Sequence, residues 1–192
     1  VAAIDASPRD RDGRTLVEAT AGGWWYTALV PGARRVVAYL TDRDLVAPEV
    51  RTTDGFAAML AATDHVRARI GDGTLAGPPA QVAAGTVVLE PAAGDGWLAV
   101  GDAALAVDPL SSQGIFNALA TGIQAGDAIA DAIADALADA IADGTVSAYA
   151  ARIEEMARTY RAQLADYYAM ERRWPDRPFW RRRAHVASRP PV

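Results

Sequence analysis

A short apolar run, Trp97 to Val100, leads straight into Gly101-Asp102-Ala103-Ala104, passes an Asp108-Pro109 turn, and opens a long Ala-rich helix near Gly114. This order of strand, acidic loop and helix N-terminus constrains the fold more than any other feature of the chain. Small residues at 103, 104 and 106 let backbone approach a planar ligand closely. A helix N-terminus presents unpaired N–H groups and about half a positive charge, so it suits a ligand atom that is or becomes anionic. Asp102, at the strand end, can accept hydrogen bonds from sugar hydroxyls, as carboxylates do in nucleotide sites.

The stretch Gly-Asp-Ala-Ala-Leu-Ala-Val-Asp-Pro-Leu-Ser-Ser-Gln-Gly-Ile-Phe-Asn-Ala-Leu-Ala-Thr-Gly resembles the second FAD fingerprint of the flavoprotein aromatic hydroxylases and flavin-dependent halogenases. The resemblance implies an FAD-dependent monooxygenase that uses NAD(P)H and O2 to oxygenate an organic substrate. It places Asp102 at the ribityl chain, Pro109 against the isoalloxazine ring, and Gly114, Ile115, Phe116 and Asn117 at the pyrimidine end, with Gly101 and Ala103 among the cofactor-binding residues. A positive helix end there would stabilise negative charge on reduced flavin. Many aromatic hydroxylases have His directly after the Ala-Ala pair, where this chain has Leu105.

The Asp-Pro-Leu-Ser-Ser-Gln-Gly wording is similar to the halogenase-like branch, which includes flavoproteins that modify peptides during quinone-cofactor maturation. Gly23-Trp24-Trp25-Tyr26, Thr41-Asp42, Glu171-Arg172-Arg173-Trp174-Pro175 and Phe179-Trp180-Arg181-Arg182-Arg183 resemble the same branch. A halogenase or a peptide-modifying flavoprotein is therefore the alternative within flavin chemistry. The alternative of another class is a noncatalytic helical interaction module built on the Ala-rich helices.

Elsewhere the pattern predicts a mixed chain of α/β class with α+β character. Val1 to Gly22 reads as a loop or short edge strand, and Trp24–Leu29 with Val36–Thr41 as a β-hairpin across Pro31-Gly32. Asp54 to Ile70 reads as one amphipathic helix, capped by Thr53 or Asp54 and ended by Gly71. Gly71 to Pro79 reads as loop, and Val82–Glu90 and Trp97–Val100 as short strands. Two long helices are expected, from about Ser112 to Asp143 with Gly144 as the stop, and from Val146 to Arg173, followed by an irregular tail.

These elements suggest a β-sheet substrate-domain portion over 1–91, the C-terminal part of a Rossmann-like FAD-binding domain over 92–145, and a C-terminal helix with an Arg/Trp-rich tail over 146–192. No Gly-x-Gly-x-x-Gly follows a strand; Gly71-x-Gly73 and Gly94-x-Gly96 have the wrong spacing and read as turns. The expectation is a C-terminal half whose partner is the N-terminal half of the same polypeptide, with a small-molecule or peptide substrate.

All 19 basic residues are Arg and the formal net charge is -5, which disfavours nucleic acid as a partner. The chain has no cysteine, which removes disulfides, thiolate metal sites and thiol nucleophiles. No apolar run reaches the roughly 20 residues of a membrane span, so a cytoplasmic protein is expected, with no membrane partner.

No catalytic residue can be named from the pattern. Trp25, Tyr26 and Tyr39 are candidates for an aromatic substrate surface, against the alternative that they fill the core. His65 and His185 have no second ligand at metal spacing, so no metal site is expected. Asp127, Asp131, Asp135, Asp139 and Asp143 read as a solvated acidic face, with Ile129, Ile133, Leu137 and Ile141 buried opposite. The Arg cluster from Arg172 to Arg183 reads as paired within the chain or solvated, its aromatics packing the tail.

Overall fold

The aromatic and β-branched runs between Gly23 and Thr41 pair as their alternation predicts. In the computed structural model, which describes residues 1–7, 10–137 and 143–184, the chain forms two compact units. The first comprises residues 1–83 and the chain from Tyr168 onward; the second comprises residues 84–167.

The first unit is built on five strands: β1 (Ala2–Asp5), β2 (Leu16–Thr20), β3 (Gly23–Val30), β4 (Arg34–Leu40) and β5 (Thr74–Leu75). They pair antiparallel in the order β2-β3-β4-β1-β5. The β3–β4 turn uses left-handed backbone at Gly32 (φ +83°) and Ala33 (φ +54°). The region expected to be loop or edge strand instead gives two strands, and β1 lies inside the sheet. Ala-Ala-Ile-Asp carries one large apolar residue and no alternation; its place comes from pairing with Val36 and Val37, distant in sequence. The expected loop after Gly71 likewise contains β5, paired to β1.

The expected single helix is two, α1 (Thr53–Ala61) and α2 (His65–Ile70). Thr52, one residue before the expected cap, holds the start of α1 by accepting from Gly55 N–H at 3.1 Å. The break has two causes. The Thr63 hydroxyl donates to Leu60 O at 2.7 Å, competing with helix continuation. Glu18, on β2, then accepts the N–H groups of Asp64, His65 and Val66 at 2.8, 3.0 and 2.7 Å, so a strand side chain caps α2. Both helices cover one face of the sheet, burying Phe56, Leu60, Val66 and Ile70 against Ile4, Trp25 and Val37.

In the second unit, β6 (Val87–Val88), β7 (Ala93–Gly94), β8 (Trp97–Leu98) and β9 (Leu105–Ala106) form two antiparallel pairs, β6–β9 and β7–β8. The strands are shorter than expected, and Gly94 ends β7 while Asp95 and Gly96 make the β7–β8 turn, with Gly96 at φ +74°. Two long helices follow, α3 (Gly114–Leu137) and α4 (Asp143–Ala169). Gly144 therefore lies in the first turn of α4 and does not end its predecessor. The core of this unit is small-residue packing, Ala92, Ala93, Ala104, Ala125, Ala128 and Ala157 around Leu105, Tyr149 and Ile153.

The tail corrects another expectation: Pro178–Ala184 forms α5, which buries Phe179 and Trp180 in the first unit. Pro178 at its first position is compatible with helix initiation. Trp180 Nε1 donates to Thr20 O at 2.8 Å and Trp24 Nε1 to the Tyr168 hydroxyl at 3.1 Å. The arginines pair within the same unit, as expected: Arg182 with Asp42 and Asp44, Arg183 with Asp42, Arg173 with Glu171. Residues 185–192, including His185, lie outside the described residues. Among the described residues no helix is long and apolar enough to cross a membrane.

Candidate functional site

The segment from Gly101 to Asn117 lies wholly in the second unit, and its backbone is held from several directions. Gly101 adopts φ +57°, and a Cβ there would stand 3.2 Å from Ala118 Cβ on α3, so both conformation and space favour glycine. It opens a tight 3-10 turn, Gly101–Ala103. Its N–H donates to Thr121 Oγ1 at 2.9 Å, and that hydroxyl donates in turn to Asn117 O at 2.7 Å. Thr121 is fully buried.

Asp102 and Ala103 face outward from this turn, whereas Ala104 and Leu105 are buried in the core. Leu105 is thus a packing residue here. The loop beyond is organised by Asp108, whose carboxylate accepts Leu110 N–H at 2.9 Å and whose carbonyl accepts the Ser111 hydroxyl at 2.8 Å. Pro109–Ser111 forms a second 3-10 turn, and Ser112 adopts φ +54° to redirect the chain into α3.

Within α3 the first backbone bond runs from Asn117 N–H to Gln113 O at 2.8 Å. By helix geometry the amides before it have no intrahelical acceptor, and they carry the positive end of a 24-residue helix. Ile115 and Phe116 beside them are 81% and 70% exposed, whereas Asn117 is buried. The structure therefore brings together an outward carboxylate at 102, a Pro-containing loop at 109 and an open helix N-terminus at 114–116. The set fits the chemistry of a flavin: an exposed acid able to accept from sugar hydroxyls, a glycine where the backbone is crowded, and N–H groups able to face an electron-rich ring edge.

Thr121 was not anticipated from the sequence. Its one signal was a hydroxyl inside an Ala-rich helix, where it is otherwise a poor choice. Thr121→Val keeps the shape and removes the acceptor for the buried Gly101 N–H, so a loss of about 1–3 kcal/mol in stability is expected by thermal or urea unfolding.

The expected burial of Ile129 and Ile133 does not occur; both are about half exposed, with Asp127 and Asp131 also facing solvent. The buried stripe of α3 is Asn117, Thr121, Ala125 and Ala128, whose small side chains let the helix sit close to the rest of the unit. Ile115, Phe116, Leu119, Ile123, Ile129 and Ile133 form an exposed apolar band instead. Asp135, Leu137, Asp139, Ile141 and Asp143 fall outside the described side chains.

The three substrate candidates lie in the first unit. Trp25 and Tyr39 are cross-strand partners with rings 5.0 Å apart, and Trp25 also meets Phe56 edge-on at 5.2 Å. Trp25 is buried in this core and Tyr39 only partly. Burial pushes the Tyr39 hydroxyl pKa up, against hydrogen bonds from Thr41 and Thr20. Tyr26 lies on the opposite face of the sheet, partly exposed. A groove of about 410 Å³ lies between α1, α2 and β5, lined by Ala57, Leu60, Arg67, Ile70 and Leu75; it holds none of the candidate residues. Among the described residues no three His, Asp or Glu side chains are placed to hold a metal ion, and His65 is an exposed residue of α2.

Comparison with known proteins places the chain among flavin-dependent enzymes. The tryptophan halogenase family profile matches residues 13–191. LodB of Marinomonas mediterranea, provisionally named as an FAD-dependent oxidoreductase, is 29% identical over 170 residues, which cover 87% of this chain and 43% of LodB. Among solved structures, QhpG, a peptidyl tryptophan dihydroxylase essential for tryptophylquinone cofactor biogenesis, superposes with a TM-score of 0.77 at 27% identity over 88% of this chain and 39% of its own. The flavin-dependent halogenase CmlS gives a TM-score of 0.79 at 23% identity, over 95% of this chain and 34% of its own, a likeness of fold. The chain thus spans less than half the length of these proteins.

Proposed function

The chain belongs to the tryptophan halogenase family, a family of flavin-dependent enzymes, and from that premise we propose that it is the C-terminal part of an FAD-dependent monooxygenase using NAD(P)H and O2 to oxygenate an organic substrate. The observation that carries the reading is the Gly101–Asn117 arrangement, an outward Asp102 beside an open helix N-terminus. Gly101, Asp102 and Ala103 would hold the ribityl side of FAD, Pro109 would lie along the ring, and Gly114, Ile115 and Phe116 would face its pyrimidine edge, with Asn117 buried behind them. Bound FAD supplies the electron transfer and the oxygen chemistry that amino-acid side chains lack.

The chain's own residues contribute binding and electrostatics. The amides at the start of α3 favour negative charge at the ring edge they face, an interaction that grows as that charge develops. Thr121 holds Gly101 so that Asp102 projects outward. The exposed apolar band of α3 is proposed to pack against a nucleotide-binding half of the same polypeptide. That half would supply the pyrophosphate cradle. The first unit would carry substrate contacts, with Tyr26 and Tyr39 the partly exposed candidates and Trp25 supporting them from the core.

A second reading, peptide modification, is favoured by the likeness to QhpG at 27% identity. Both are tested by supplying the intact enzyme with NAD(P)H, heavy-isotope O2, halide and a tryptophan-bearing peptide or free aromatic compound. Heavy oxygen in the product supports oxygenation, and the substrate that gains it chooses between peptide and small molecule. A halide-dependent mass gain without heavy oxygen overturns the monooxygenase reading in favour of halogenation.

A further inference from the structure

Two tyrosines of α4, Tyr149 and Tyr160, stand three turns apart on the helix face that also carries the buried Ile153 and Ala157. Each hydroxyl reaches backbone in or just before the Gly101–Asn117 segment. Tyr149 donates to Ala99 O at 2.6 Å, two residues before Gly101. Tyr160 accepts the N–H of Asp108 at 2.6 Å, one residue before Pro109. One helix therefore holds the chain just before and just after the Gly101–Val107 stretch, while Thr121 on α3 holds Gly101 itself.

Tyr160 holds the loop end. It is buried, and its hydroxyl also bonds Thr86 Oγ1 at 3.1 Å, so a neighbouring side chain orients it. Burial raises its pKa, opposed by hydrogen bonds with Thr86, the Asp108 amide and Ser111, so it stays a neutral hydroxyl at physiological pH. The Asp108 amide donates to Tyr160, while the Asp108 carboxylate and carbonyl accept from Leu110 and Ser111. The loop is thus closed on itself by Asp108, and the closed loop is anchored to the fold through Tyr160.

We infer that Tyr160 is a positioning residue for the bound flavin, acting through the Asp108–Ser112 loop that sets Pro109 and the entry to α3. The inference rests on the flavin reading above. Removing the hydroxyl leaves the ring packed in place and frees the Asp108 amide, so the loop shifts while the core remains.

The test uses the intact FAD-loaded protein and compares Tyr160→Phe with Tyr168→Phe, which removes the hydroxyl bonded to Trp24 in the first unit. Y160F is expected to weaken FAD binding about fivefold, the equivalent of one ordinary hydrogen bond, and to shift the flavin's visible absorption and reduction potential. Y168F is expected to lower thermal stability similarly while leaving flavin affinity, spectrum and potential unchanged. Thr86→Val, which removes only the orienting partner, is expected to move the same flavin properties by less, and serves if Y160F fails to fold. Wild-type flavin affinity and spectrum in Y160F or, failing that, in Thr86→Val overturn the positioning role. If the wild-type protein binds no FAD at all, the flavin reading falls and the inference with it.

Discussion

Asp102→Ala in the intact protein is expected to weaken FAD retention by about ten- to a hundredfold, the range for losing a hydrogen bond to a charged group. Asp102 projects from the Gly101–Ala103 turn into solvent, and its neighbour Ala104 carries the packing. The substitution should therefore leave the unfolding temperature nearly unchanged, because surface changes away from caps and cores usually cost less than about 0.5 kcal/mol. Fluorescence titration with FAD, alongside thermal unfolding, separates the two effects. Asp102→Asn should recover part of the loss, since the amide oxygen still accepts. Unchanged flavin affinity in Asp102→Ala would favour a noncatalytic helical module.

The second large effect belongs to the first unit. Arg35 is 1% exposed on the sheet face under α1 and α2, with Nε 2.6 Å from Asp10 Oδ2 and Nη2 at 3.1 Å from Oδ1 and 2.8 Å from Asp12 O. Its Nη1 is buried without a hydrogen-bond partner, as is the Thr27 hydroxyl on the same sheet face. Arg35→Ala is expected to cost about 3 kcal/mol or more, because it leaves a hole in the core and strands the carboxylate that folding placed against the guanidinium. Arg35→Met, which keeps the volume, should cost less. Urea unfolding of both variants measures the difference.

The same pair sets a pH dependence. The hydrogen bond from Arg35 holds the Asp10 carboxyl below its ordinary value of 3.8, and Arg14 holds Asp12 lower still. A depressed folded-state pKa means that the unfolded chain binds the proton more readily. The stabilisation is therefore complete above about pH 5 and is lost as pH falls through the folded-state values. Arg35→Ala should accordingly flatten the acid limb of the stability profile relative to wild type.

Local chemistry made part of this fold legible. The Trp24–Tyr39 hairpin and the strand–loop–helix at Gly101 carry their signals within a few residues: alternating rings, a glycine in a turn, an Asp-Pro pair. Where a long-range partner decided the outcome, the sequence misled. The Asp54–Ile70 periodicity is continuous, and only Glu18 on a distant strand explains why the helix restarts at His65. Ala2–Asp5 lacks any strand pattern of its own and becomes an inner strand because β4 and β5 offer edges on either side.

In the candidate site, the residues that face outward were readable because they resemble a known fingerprint. The ones that hold them from behind were not. Thr121, Tyr149 and Tyr160 are single polar groups on otherwise apolar helix faces, and only their partners at Gly101, Ala99 and Asp108 give them meaning. The isoleucines of α3 misled in the other direction. Apolar periodicity implies burial somewhere, and Ile129 and Ile133 are exposed within this chain, beside a buried stripe of alanines.

The central claim is that Gly101–Asn117 forms one wall of a flavin site completed by the nucleotide-binding half. Its most direct test is the visible absorption spectrum of the intact protein, purified after incubation with FAD and freed of unbound cofactor. Flavin bands at near-stoichiometric occupancy, diminished in Asp102→Ala, are the expected result. A folded, colourless wild-type protein would contradict the account.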